Sequence, residues 1–100
     1  MRTFGKDSPR FMEFMVDGDE RVYRLPLAAS IRADFNLRLF EVARVDDPGD
    51  REYFAQKLMI DIFTEYLGEE FVASMTTAQM LEIWLAWTEE SRRANQEPGE

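Results

Sequence analysis

Apolar groups are dense from Phe11 to Val16 (FMEFMV), break off at Asp17-Gly18-Asp19, and resume in Val22-Tyr23-Arg24-Leu25 before Pro26. Asp-Gly between two apolar runs is a hairpin signal, because glycine supplies the positive φ that a tight turn demands. The pattern predicts a β-hairpin over about 10–25, with strands near 10–16 and 20–25. A strand's period of two places Met12, Phe14 and Val16 on one face and Phe11, Glu13 and Met15 on the other. Two strands alone are marginal in water, so the helices that follow must cover one face, and the first or the central helix is the expected cover.

Beyond Pro26 the rhythm becomes helical. Ser30 stands as an N-cap for a helix over about 30–45, in which Ile31, Phe35, Leu39, Val42 and Ala43 share one face. The loop Asp46-Asp47-Pro48-Gly49-Asp50 offers Asp47 or Asp50 as the next cap. In the helix that follows, over about 50–67, only Thr64, Lys57, Asp61 and Glu65 form a continuous polar strip. That predicts a central helix with Leu58, Ile62 and Phe63 deeply buried. Gly68 fits its C-terminal end, and Glu69 to Met75 has room for one more helical turn. Thr76 or Thr77 opens a last helix over about 77–92, with Gln79 completing a capping box on Thr76. Residues 1–9 and 93–100 read as flexible. The expected fold is α+β and mostly α, a single domain over 1–100 in which an N-terminal hairpin packs on about three main helices.

The last helix carries more apolar surface than one core contact uses. From Met80 to Thr88, Ile83, Trp87, Met80, Trp84, Leu81 and Leu85 cover about 200° of circumference, against the ~100° stripe that faces a core. Two outcomes are open. Either the whole arc lies in a groove between neighbouring elements, or one edge stays exposed and meets a partner. In the second case Trp84, near mid-arc, is buried, while Ile83, Leu85 and Trp87 are the candidate contacts for a client helix or a second copy of the chain.

Composition narrows the chemistry. The 20 Asp and Glu against 12 Lys and Arg give a net charge of −8, and the excess is skewed, with −2 in residues 1–50 and −6 in residues 51–100. Phosphate backbones and anionic lipid surfaces repel such a chain, so neither nucleic acid nor a membrane is an expected partner, and a basic protein is. There is no cysteine and no histidine. Thiolate metal sites, nucleophilic cysteines, histidine bases and disulfides are thereby excluded. The N-terminal MRTFGKDSPRF lacks a following apolar region of the export type, and no run approaches the ~20 apolar residues of a membrane span.

The remaining polar clusters have simpler readings. Asp17-Gly18-Asp19-Glu20 lacks the later oxygen ligands of a calcium loop and fits a turn. Asp46, Asp47 and Asp50 fit a solvated loop with helix caps. Glu69-Glu70 and Glu89-Glu90 have no predicted pocket to raise their pKa values. No catalytic residue, cofactor site or metal site is therefore expected, and no enzymatic activity.

Several stretches together resemble a known family. Phe11-Met12-Glu13-Phe14-Met15-Val16-Asp17-Gly18 followed by Tyr23-Arg24-Leu25-Pro26 is similar to the opening of small tail assembly chaperones from long-tailed bacteriophages of actinobacterial hosts. The likeness continues through Phe63-Thr64-Glu65-Tyr66-Leu67-Gly68-Glu69-Glu70 and Trp84-Leu85-Ala86-Trp87, with a polar tail ending Pro98-Gly99-Glu100. It implies a non-enzymatic chaperone in the cytoplasm of the bacterial host, which binds the tape measure protein and keeps its long helical chain soluble until tail tube subunits polymerise around it. In many such phages a ribosomal frameshift yields a longer form thought to recruit the tube protein. The resemblance supplies no binding motif for individual residues.

Two other classes stay open. A small acidic interaction or inhibitor domain that imitates DNA requires carboxylates spaced like phosphates along one face, whereas arginines intersperse them through the first half here. An enzyme working with carboxylates alone requires a cleft lined by two or more buried acids.

Overall fold

The computed structural model describes residues 1–4 and 10–96. Strand β1 (Phe11–Phe14) pairs antiparallel with β2 (Tyr23–Pro26), in the register Phe11 with Pro26, Met12 with Leu25, Glu13 with Arg24 and Phe14 with Tyr23. Alternation then sorts the faces. Met12 and Leu25 are buried, and the Phe14 and Tyr23 rings stack at 5.5 Å. Outside, Arg24 meets Glu13 at 3.3 Å and lies over the Phe11 ring.

The ladder is shorter than the apolar pattern predicts, because pairing stops at Phe14 and Tyr23. Gly18 does occupy a turn, with φ +85°, closed by the Asp19 amide donating to the Val16 carbonyl at 2.9 Å. Asp19 ends the ladder. Its carboxylate accepts from the Arg21 amide at 2.9 Å and from the Tyr23 hydroxyl at 2.5 Å, local bonds that compete with strand pairing.

Ser30 is not the helix cap that the sequence suggests. It closes a short 3-10 turn, Ala28–Ser30, and its hydroxyl accepts from the Arg10 amide at 3.0 Å, fastening the entrance of the hairpin. Helix α1 (Ala33–Ala43) starts later, after Arg32, without a side-chain cap. Tertiary bonds hold that start instead. The Arg32 amide donates to the Tyr66 hydroxyl at 2.7 Å, and its guanidinium pairs with Asp34 and with Glu65. Ile31 and Phe35 are buried and Leu39 and Val42 lean on the core, whereas Ala43, expected on that face, is exposed.

Helix α2 (Pro48–Leu67) begins at its proline, whose missing N–H costs nothing at a first helical position. Asp47 is the cap, accepting from the Asp50 amide at 2.9 Å. Leu58, Met59, Ile62 and Phe63 form the centre of the core. Gly68 ends the helix at φ +100° and leads straight into α3 (Glu69–Ser74), which buries Phe71. The capping box forms as the sequence predicts: the Thr76 amide donates to Gln79 Oε1 at 2.8 Å, and the Gln79 amide donates to Thr76 Oγ1 at 3.2 Å.

Helix α4 (Thr77–Gln96) runs past the predicted end at 92, so residues 93–96 are helical and not part of a flexible tail. Ser91 and Ala94 continue its inward line for another turn. Of the other expected flexible residues, 1–4 are exposed and without regular structure, and 5–9 and 97–100 lie outside the described residues. The architecture is α+β and mostly helical, with the hairpin seated on α2, the central helix.

Candidate functional site

The inward line of α4 is fixed by two polar contacts one helical turn apart. The Trp87 indole N–H donates to the Pro26 carbonyl at 2.7 Å, and Ser91 Oγ accepts from the Ala28 amide at 3.0 Å. Both partners lie where the chain leaves the hairpin. Trp87 is 1% exposed and Ser91 is buried, so this is the helix meridian that faces the core.

That placement reverses the expected order of the tryptophans. Trp87, a candidate contact by sequence, is enclosed in the monomer and offers no surface to a partner. Ile83, the second candidate, is half-buried against the core. Trp84, expected at the buried middle of the arc, is only half-buried. Leu85 alone among the three candidates stands open, at 66% exposure. The apolar arc does have a free edge, on the side of Leu81 and Leu85 and away from Ile83 and Trp87.

Trp84 sits between core and surface. It stacks on Trp87 at 4.9 Å and meets Phe63 edge-on at 6.0 Å, while its outer side lines a notch of about 120 Å³ with Leu81, Met59 and Ala55. Glu52 and Gln56 complete that notch. Beside it along α2 runs a shallow trough of about 630 Å³ bordered by Tyr53 and Ile60. Tyr53 is 63% exposed. Leu85, Leu81, Trp84, Ile60 and Tyr53 thus give α2 and α4 a largely apolar outer face.

The polar strip read for α2 is too narrow. Tyr53 and Phe54 in the first half are exposed, and so, at 38%, is Ile60 just beyond it. The hairpin and α3 pack on α2, with Phe71 against Phe63, whereas its earlier turns are bordered by α1 on one side and by α4, at the notch, on the other. On the α1 side Phe54 borders a cleft of about 370 Å³ with Val42 and Val45. A second apolar pair, Leu37 and Phe40, projects from the outer side of α1, with Phe40 at 70% exposure. The sequence reading missed it, although an i, i+3 pair opposite the Phe35 and Leu39 face is a legible signal.

The electrostatics follow from who pairs with whom. Asp61 is taken by Arg38 at 2.9 Å, and Glu89 by Arg92 at 2.7 Å. Glu52 and Glu82 have no ion pair among the described residues. Among the described residues three carboxyls titrate below their ordinary range, each held there chiefly by a side-chain donor: Tyr23 at Asp19, Arg32 at Asp34 and Arg92 at Glu89. Among the described residues no group of three Asp or Glu gathers to hold a metal ion, and no helix is long and apolar enough to cross a membrane. No family model, no curated protein and no solved structure matches the chain.

Proposed function

We propose that this protein is a tail assembly chaperone of a long-tailed bacteriophage, which binds the tape measure protein in the host cytoplasm and keeps it soluble during tail morphogenesis. The observation that carries the reading is the open apolar face of α2 and α4, built from Tyr53, Ile60, Leu81, Trp84 and Leu85. An amphipathic helix of a long client gains by laying its apolar stripe on such a surface. The acidic excess of 20 carboxylates over 12 basic groups keeps the loaded complexes apart. The similarity of the hairpin, the Phe63 to Glu70 stretch and the Trp84 to Trp87 stretch to that family supports the same reading. In it the chain works by binding and performs no chemistry, and a frameshifted longer form recruits the tube protein.

The acidic-mimic alternative gains less support. Arginines pair with Glu13, Asp34, Asp61, Glu65 and Glu89, which breaks up any continuous negative ridge.

Co-expression with the tape measure protein of the same phage tests the proposal. The expected result is that the client moves from the insoluble to the soluble fraction and co-purifies with this chain. A client that is equally insoluble with and without it overturns the reading.

A further inference from the structure

We infer that the notch between α2 and α4 is built for one side of a basic amphipathic helix, an apolar stripe flanked by lysine or arginine. The inference rests on the proposed client-binding role of this face and specifies the chemistry of the segment bound there.

Size limits what enters. A volume of about 120 Å³ is a few times the ~30 Å³ share of one water, enough for a single large apolar side chain and too little for a helix. The client helix therefore lies across the notch and lowers one residue between Trp84 and Met59. Residues one turn before and after that anchor, at i±3 or i±4, then reach Leu85 on one side and the Tyr53 and Ile60 trough on the other.

Charge selects among amphipathic helices. Glu52 lines both the notch and the trough. On the helical wheel of α4, Glu82 and Glu89 come next beyond Leu85. Glu52 and Glu82 lack ion-pair partners among the described residues, and Lys57 is the only basic residue lining either depression. A second copy docking by the same face would set these carboxylates against one another, as would an acidic client. Flanking cations instead give Glu52 and Glu82 the partners they lack.

The test titrates the full chain with two synthetic helical peptides that share one leucine stripe at i, i+3, i+4 and i+7. One carries lysine and arginine on its flanks and the other glutamate. The basic peptide is expected to bind and to shift the Trp84 indole N–H resonance, while that of Trp87, bonded to Pro26, stays in place. Affinity for it should fall about tenfold in a Glu52→Lys, Glu82→Lys double variant, and also as salt is raised. Equal binding of both peptides, binding that leaves Trp84 unmoved, or binding of neither overturns the inference. The proposed function fails separately: a groove that takes the basic peptide in a chain that does not solubilise the tape measure protein sinks the function and leaves the groove. A Leu81→Asp, Leu85→Asp variant that still solubilises the client sinks the groove and leaves the function.

Discussion

The Trp87 indole donates its N–H to the carbonyl of Pro26, 61 residues earlier, at 2.7 Å in a fully buried setting. A buried indole needs an acceptor, and Pro26 has one to give at the end of the hairpin. Trp87→Phe keeps most of the apolar bulk but orphans that carbonyl, which should cost about 1–3 kcal/mol. Trp87→Ala should cost about 3–5 kcal/mol. Urea unfolding of both variants measures this, and a Trp87→Phe curve superimposable on wild type would remove the bond's structural role.

Ile62 is fully buried at the middle of α2. Truncating it to alanine leaves a void that neighbouring helices fill only in part, so Ile62→Ala should lose about 2–5 kcal/mol. A melting temperature within a degree of wild type would contradict the central place of α2.

Leu85 makes the opposite case. At 66% exposure it supports little of the fold, and Leu85→Asp should change stability by no more than about 0.5 kcal/mol. It should nonetheless reduce the amount of tape measure protein recovered in the soluble fraction. Undiminished recovery, with the fold intact, would move the binding surface elsewhere, and the Leu37 and Phe40 pair on α1 is then the next face to mutate.

Gly68 joins α2 to α3 at φ +100° and ψ 157°, a conformation essentially closed to residues with a Cβ. No atom lies within 4 Å of where that Cβ would be, so the cost of Gly68→Ala is one of backbone strain and not of collision. About 1–3 kcal/mol is expected from equilibrium unfolding. Loss of less than a few tenths would mean that the junction relaxes into another conformation.

Tyr23 donates its hydroxyl to Asp19, and that bond is the main reason the Asp19 carboxyl titrates low and the Tyr23 phenol high. The signs are opposite. Asp19, with its folded pKa depressed, contributes stability present above its unfolded pKa and lost as pH falls through the folded value. Tyr23, with its folded pKa raised, contributes stability present below its unfolded pKa and lost as pH rises through the folded value. In Tyr23→Phe the Asp19 titration, followed by carboxyl NMR, should move up towards the ordinary range. An unmoved midpoint would assign the shift to the Arg21 amide instead.

What the sequence made legible was local. The Gly18 turn, the Asp47 cap, Gly68 and the Thr76 and Gln79 box all depend on partners within a few residues, and each forms. Burial of Leu58, Ile62 and Phe63 followed from their spacing on α2. The failures share a different cause. Ser30 serves Arg10 across 20 residues, and Ser91 serves Ala28 across 63. The apolar arc of α4 is wide enough to rotate without losing amphipathicity, so spacing alone left its inward line undetermined. The distant Pro26 carbonyl and Ala28 amide choose Trp87 over Trp84, and no wheel contains that information. The same limit hid the exposure of Tyr53, Phe54 and Ile60 on α2, which depends on where the neighbouring elements sit.

The clasp of Trp87 and Ser91 on Pro26 and Ala28 also has a bearing on synthesis. A ribosome delivers the hairpin well before residues 87–91, so the Pro26 carbonyl and the Ala28 amide emerge long before the groups that satisfy them. The nascent hairpin can close its own ladder, and α1 and α2 can begin to collect beneath it, yet the core remains unsealed along the line that α4 will occupy. Folding of this domain is completed after translation has passed Ser91. Until then Phe63 lacks the cover that the Trp84 ring gives it, and a chain stalled before α4 would expose to the cell an apolar surface larger than the one the finished protein presents.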